Sequence, residues 1–131
     1  MIRNVAVILL YNEDKKILLQ HRGKDMKRLP GYWGLFGGGI DEGETPEEAV
    51  RRETKEELDY ELGNPKLIMV QEFKGKHHDG TKYVFVEKYN PSKKLTLCEG
   101  QGMKWVLLNE TKSLKIVDHD IEVLEYIKGK F

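Results

Sequence analysis

The stretch Gly38 to Tyr60, GGIDEGETPEEAVRRETKEELDY, limits what this chain can fold into more than any other. Thr45-Pro46-Glu47-Glu48 reads as a helix start. Thr45 is placed to accept from the backbone N–H of Glu48 while the Glu48 side chain reaches back, which is a capping box. Pro46 takes the first helical position, where its missing N–H costs nothing. Ala49 to Leu58 is strong helix-forming sequence, rich in Glu, Arg, Lys and Ala. At about 100° per residue, Glu53, Glu56 and Glu57 share an arc of roughly 100°, and Ala49 on the same arc leaves that face open. Like charges at these spacings cost roughly 0.2–0.5 kcal/mol each. Arg51 and Lys55 point elsewhere, and only Arg52 stands close, four residues before Glu56. Clustered carboxylate oxygens beside a gap suit a hard cation such as Mg²⁺. A solvated acidic helix accounts for the same spacing.

The length of 131 residues predicts a single domain, 1–131, large enough for a real core. Lys+Arg and Asp+Glu both number 22, so no global basic field points to a nucleic-acid polymer. Phosphate binding then has to come from a local site and a metal. The single cysteine, Cys98, excludes an internal disulfide and a cysteine-based zinc site and fits a reducing compartment. The first apolar run, Val5 to Leu10, is too short to span a membrane. A cytoplasmic protein with no membrane partner is the expectation.

The run Gly38, five residues, Glu44, seven residues, Arg52-Glu53, two residues, Glu56-Glu57 resembles the Nudix box. Three positions depart from that pattern. Thr54 stands for an aliphatic residue, Asp59 for the closing glycine and Tyr60 for a final aliphatic residue. The resemblance extends over nearly the whole chain and implies an α/β class fold, the Nudix α/β/α sandwich with a mixed β-sheet between helices. It implies a pyrophosphohydrolase that uses Mg²⁺, with Mn²⁺ able to substitute. Metal ligands by resemblance are Glu53, Glu56 and Glu57, joined by a backbone carbonyl from Gly37 or Gly38. Arg52 would hold a carboxylate in place, and Glu44 would support the junction of loop and helix or a further metal.

Outside the motif, Ile2 to Tyr11 and Lys16 to Arg22 read as paired strands around the turn Asn12-Glu13-Asp14. The second strand delivers His21 and Arg22 to its end. Relatives of the MutT type use an arginine near this place on substrate phosphates, which makes Arg22 a substrate-binding candidate, with the planar fork that phosphate oxygens favour. Tyr32 to Gly39 reads as a glycine-rich loop whose backbone can approach a ligand, and Trp33 is a candidate for lining a nucleobase pocket or for the core. Lys66 to Phe73 and Tyr83 to Tyr89 read as strands. Their connection carries His77-His78-Asp79-Gly80, the last two residues being a hairpin-turn pair. Cys98-Glu99-Gly100-Gln101 followed by Trp105 resembles the MutT-like subgroup, in which the glutamate reaches the metal site, so Glu99 joins the candidates for ligand or base. Asp118 to Lys128 reads as a terminal helix capped by Asp118. By resemblance Asp118, His119 and Asp120 also lie where relatives place base-reading groups.

The catalytic set is therefore Glu53, Glu56, Arg52 and Glu99, with the general base open among Glu53, Glu56 and Glu99. Arg22, Trp33 and Asp118 form the substrate-binding set, and Gly38, Glu53, Glu56, Glu57 and Glu99 the metal set. The expected partner is a small nucleotide, first a nucleoside triphosphate, acted on by a monomer or homodimer. A nucleotide sugar or other nucleoside diphosphate derivative, or a sensor module without catalysis, are the alternatives.

Overall fold

The computed structural model describes residues 2–25, 29–74 and 79–130. Its strands are β1 (Val5–Tyr11), β2 (Ile17–His21), β3 (Trp33–Gly34), β4 (Phe36–Gly39), β5 (Lys66–Lys74), β6 (Asp79–Lys88) and β7 (Gly102–Val106). The helices are α1 (Pro46–Leu58) and α2 (Asp118–Ile127), and a short 3₁₀ turn covers Leu108–Ser113. The strands form one mixed sheet. β1 and β6 run parallel along its centre, and the other pairings are antiparallel.

Residues on β1 alternate between two apolar layers, as a period of two requires of a strand covered on both faces. Ala6, Ile8 and Leu10 face α1, where they meet Ala49, Val50, Leu58 and the ring of Tyr60. Val7 and Leu9 face α2 and meet Val123, Leu124 and Ile127. Burial of each such aliphatic side chain contributes about 1.5–3 kcal/mol. The sheet between two helices is the α/β/α arrangement expected from the sequence.

β1 and β2 pair at Tyr11 and Ile17 and then part. From there β1 takes β4 as its neighbour, Val5 opposite Gly39 through Ile8 opposite Phe36, while β2 pairs with β3 and β7. This corrects the expectation of a loop over Tyr32 to Gly39: both halves of the glycine run are strands. Gly37 shows why glycine is needed there. Its φ is 150°, and a Cβ on it would collide with the Ala6 carbonyl oxygen.

Two more expectations change. Asp79 and Gly80 belong to β6, paired with Lys74 and Phe73, and are not the turn. A Cβ on Gly80 would collide with the Arg3 main chain, so the glycine serves a close approach. His77 and His78 lie outside the described residues. The terminal helix has Val117, not Asp118, at its N-cap and has no side-chain cap. The start of α1 is as read: Thr45 is the N-cap, with the capping box to Glu48 complete.

Two of the three departures from the motif, Asp59 and Tyr60, have local explanations. Asp59 takes a left-handed conformation, φ 50° and ψ 41°, and its backbone N–H closes the helix on the Lys55 carbonyl. Its carboxylate pairs with Lys55 at 2.7 Å. Tyr60 is buried with its hydroxyl accepting from the Asn90 N–H at 3.0 Å. Thr54 is fully buried, and its hydroxyl has no partner among the described residues.

Candidate active site

The parting of β1 from β2 opens a cleft of about 690 Å³. β4 contributes Gly37, Gly38 and Gly39 to its wall, α1 contributes Glu53 and Glu57, and the end of β2 contributes Gln20 and Arg22. Glu99 closes the same side from the segment before β7. The other end is bounded by Phe73, Lys82 and the start of α2. Of the expected site residues, the structure therefore brings Arg22, Gly38, Glu53, Glu57 and Glu99 to one cleft.

Arg52 organises the junction of helix and strand. Its Nε and Nη2 donate to the two oxygens of Glu44 at 2.8 and 2.9 Å, and Nη2 also donates to the Gly39 carbonyl at 3.0 Å. Nη1 donates to Glu53 at 2.9 Å and to Glu56 at 3.3 Å. The Arg52 fork, with the Asp41 N–H, holds the Glu44 carboxyl down to about 2. The guanidinium thus ties β4 to α1 and fixes Glu53 beside Gly38. A Cβ on Gly38 would fall 2.6–2.7 Å from the Glu53 carboxylate, so the close approach depends on glycine.

Glu57 is the most unusual group in the cleft. It is 3% exposed, and burial, with the charges of Glu53 and Glu99, pushes its carboxyl up to about 9. It accepts from the Gly37 N–H, yet its Oε1 has no partner among the described residues. Burial is also the main cause that raises Glu53, against the pull of Arg52. A buried carboxylate oxygen without a donor, facing a cleft with two further carboxylates, fits a bound cation. The all-oxygen donor set fits a hard divalent one. Among the described residues no three His, Cys, Asp or Glu side chains are gathered closely enough to hold a metal. Glu53 is held by Arg52 and Glu57 by Gly37, while Glu99 repels both, so protein contacts alone do not draw the three together.

Glu99 is anchored through its main chain: the Gln20 Nε2 donates to its carbonyl at 3.2 Å. The next turn is pinned by the Gln101 side chain, which donates to the Arg22 carbonyl at 2.9 Å. The other expected site residues lie apart from the cleft wall. Glu56 is exposed on the outer side of Arg52. Trp33 stacks flat on His21, with centroids 4.2 Å apart and planes within 3°, and packs against the α2 layer. Asp118 is exposed at the first turn of α2.

Sequence reasoning missed Lys82 altogether. It is fully buried, ion-paired with Asp120 and within 2.9 Å of His119 Nδ1. Asp120 in turn accepts from the Leu35 N–H at 3.0 Å. A signal existed for Asp120: with Val123, Leu124 and Ile127 it occupies the buried stripe of α2 at i, i+3, i+4 and i+7. A carboxylate continuing an apolar stripe is a functional or paired residue, whereas Asp118 does not share that face. The same rule separates Glu57 from Glu56, since Val50, Thr54, Glu57 and Leu58 form the buried stripe of α1.

The fold is thus a mixed sheet between two helices, with a cleft lined by Glu53, Glu57 and Glu99 where its strands part. The family model described as NUDIX domain matches residues 1–127, and the chain belongs to the Nudix hydrolase family. It is 32% identical over 126 residues to an RNA pyrophosphohydrolase of a Nitratiruptor species, covering 96% of this chain and 73% of that one. A nucleoside triphosphatase NudI of Escherichia coli O139:H28 is 42% identical over 62 residues, which span less than half of either chain (47% and 44%). The MutT protein from Methanosarcina mazei Go1 superposes with a TM-score of 0.86 at 21% identity, covering 98% of this chain and 94% of that one, a likeness of fold. No helix among the described residues is long and apolar enough to cross a membrane.

Proposed function

We propose that this Nudix hydrolase cleaves the pyrophosphate linkage of a nucleoside triphosphate, or of a related nucleoside diphosphate derivative, by attack of water on phosphorus. The observation that carries the reading is the convergence of Glu53, Glu57, Glu99 and Arg22 on one cleft, with Glu57 buried and one of its oxygens unpartnered. Glu53, Glu57 and Glu99 would hold the cation with the main chain at Gly38, and Glu56 would enter from the exposed side of α1. Mg²⁺ is the proposed ion, with Mn²⁺ able to substitute. A divalent cation there supplies Lewis acidity towards phosphoryl oxygens and a more acidic bound water. Arg52 keeps Glu53 oriented, so that little reorganisation remains at the moment of reaction. Arg22 at the cleft edge offers its planar fork to the phosphates. Glu53, whose carboxyl is raised by burial, and Glu99 are the bases that reach the cleft.

The likeness to an RNA pyrophosphohydrolase over 96% of this chain favours a second reading, a 5′-polyphosphate end of RNA as substrate. The chemistry at phosphorus is the same, and only the length of the leaving or retained group differs. The experiment is phosphate and pyrophosphate release from a panel with and without Mg²⁺. It contains normal and oxidised nucleoside triphosphates, nucleotide sugars, ADP-ribose, dinucleoside polyphosphates and a 5′-triphosphate oligoribonucleotide. Mg²⁺-dependent release from a free nucleotide supports the first reading, and release from the oligoribonucleotide alone supports the second. Binding without turnover across the panel would overturn both.

A further inference from the structure

Glu99 reaches the cleft from a segment that packing does not hold. Between Leu97 and β7 the chain has no regular secondary structure, and none of the residues from Cys98 to Gln101 is buried. Glu99 also lines a second cavity of about 550 Å³, together with Lys24, Asp25 and Gln101. The position of Glu99 therefore rests on hydrogen bonds rather than on a core.

Those bonds fall into two groups. On one side the Thr96 and Cys98 N–H groups each donate at 2.8 Å, to the carbonyls of Leu58 and Glu57 at the end of α1. Carbonyls at a helix end have no partner within the helix, so this segment satisfies two of them, one belonging to the buried Glu57. On the other side the Gln101 N–H donates to the His21 carbonyl at 2.9 Å, and the Gln20 Nε2 donates to the Glu99 carbonyl at 3.2 Å. Gly100 allows the close approach: its φ is 93°, and a Cβ on it would fall 3.0 Å from the His21 carbonyl oxygen. Residues 96–101 thus form a strap from α1 to the end of β2, with Glu99 between its attachments.

The Gln101 side chain extends the strap to Arg22. Its Nε2 donates to the Arg22 carbonyl at 2.9 Å and lies 3.2 Å from Nε2 of His21, whose ring is stacked on Trp33. The other main-chain bonds of Arg22 are to its own loop: its N–H donates to the Tyr32 carbonyl at 2.8 Å, and its carbonyl accepts from the Gly31 N–H at 3.1 Å. The Gln101 amide is the bond that ties Arg22 to the strap. Gln101 is exposed and lines the second cavity, not the cleft. Any effect it has on a ligand in the cleft therefore passes through its neighbours.

We propose that Gln101 and Gln20 are positioning residues for the hydrolysis. Gln101 sets Arg22 for the substrate phosphates, Gln20 sets Glu99 for the cation, and the strap joins both to the end of α1 as one unit. This rests on the hydrolase reading above, and it assigns a role to two side chains that touch neither phosphorus nor cation.

Two probes separate the roles without turnover, both on the full chain. Titration with inorganic tripolyphosphate in EDTA, followed by ³¹P NMR, reads Arg22. Calorimetry with Mg²⁺ alone reads Glu99. Methionine keeps the length of glutamine and loses the amide, and loss of one neutral hydrogen bond corresponds to about a three- to tenfold change. Gln101→Met is expected to weaken tripolyphosphate by that factor and to melt in urea as wild type does. Gln20→Met is expected to weaken Mg²⁺ by the same factor. Unchanged tripolyphosphate affinity in Gln101→Met, unchanged Mg²⁺ affinity in Gln20→Met, or failure of wild type to bind either probe would overturn the proposal. If Gln20→Met does not fold, the Gln101 arm decides alone.

Steady-state kinetics on the preferred substrate checks the coupling. Gln101→Met should raise KM with kcat kept, and Gln20→Met should lower kcat with KM kept. In an Arg22→Ala background Gln101→Met should cost nothing further, because residues that act through one another are not additive. Fully additive losses would reduce Gln101 to a structural residue and refute its role while leaving the hydrolase reading intact. Absence of hydrolysis in wild type would refute the hydrolase reading, and the two binding arms would still decide on the glutamines.

Discussion

Glu57→Gln makes a sharp demand on the physics of the cleft. The carboxyl is buried and its folded-state pKa is pushed from 4.5 to about 9, so in metal-free protein it is protonated at neutral pH. An amide of the same shape then replaces a neutral acid, and the metal-free variant should fold as well as wild type. The difference lies in the slope with pH. Because the folded pKa is raised, the stabilising contribution of protonated Glu57 is complete below pH 4.5 and is lost as pH climbs through 9. At ~1.4 kcal/mol per unit the full loss approaches ~6 kcal/mol, and the part between pH 6 and 8 approaches ~3 kcal/mol. Both are upper bounds, since some water reaches any real site. Urea denaturation in EDTA at pH 6, 7 and 8 reads this directly. Wild type should lose stability over that range while Glu57→Gln stays nearly flat. Adding Mg²⁺ should flatten the wild-type slope, because the cation favours the ionised form, and should leave the variant unchanged. Turnover in the variant should fall by orders of magnitude. Parallel slopes in EDTA would show that Glu57 is already ionised without metal, and the argument for an unsatisfied acidic site would collapse.

Arg52→Ala should free Glu44 and Glu53 together; a loss of turnover far exceeding any rise in KM, by steady-state kinetics, checks that Arg52 orients the carboxylates rather than binding substrate. Gly38→Ala should place a methyl group against the Glu53 carboxylate; circular dichroism should remain native while Mg²⁺ affinity by calorimetry falls. Thr54→Val removes a buried hydroxyl that has no partner among the described residues and should raise stability by about 1–3 kcal/mol with kinetics unchanged. Asp59→Gly should relieve a left-handed non-glycine residue at a gain of roughly 1 kcal/mol in thermal or chemical melts, since the exposed Lys55 pair it loses contributes little.

The acidic helix is legible because everything that defines it is local. The Thr45 cap, Pro46 and the glutamate spacing act within four residues of one another, and the helix forms where they say. β1 and β2 are legible for the same reason, each a short apolar run on one side of a turn. The glycine run is not, because a glycine has no side-chain pattern to read; Gly37 to Gly39 become a strand only because β1 has left β2 and needs a partner. Asp118 reads as a cap from its position before an apolar run, but the backbone enters α2 through Val117, whose N–H donates to the Trp33 carbonyl, while the Trp33 N–H donates to the Lys115 carbonyl. Lys82 reads in sequence as the end of the connection Lys74 to Lys82, just before the strand that starts at Tyr83. Its partner stands 38 residues away, and only the packing of α2 across β6 turns both inward. Trp33 reads in sequence as base pocket or core, and its flat stack on His21 sets it on the packing side.

The place where β1 leaves β2 also divides the labour of the chain. Residues that would act on phosphorus come chiefly from one run, Gly37 to Glu57, tied to itself by Arg52. Residues at the opposite end come from β5, β6 and the entry to α2, held together by Lys82 and Asp120. The two ends share a sheet and a floor of valines, but among the described residues no side-chain hydrogen bond joins Arg52's network to that of Lys82. A substitution at Lys82 or Asp120 therefore removes none of the hydrogen bonds by which Arg52 ties Glu44, Glu53 and Gly39 together.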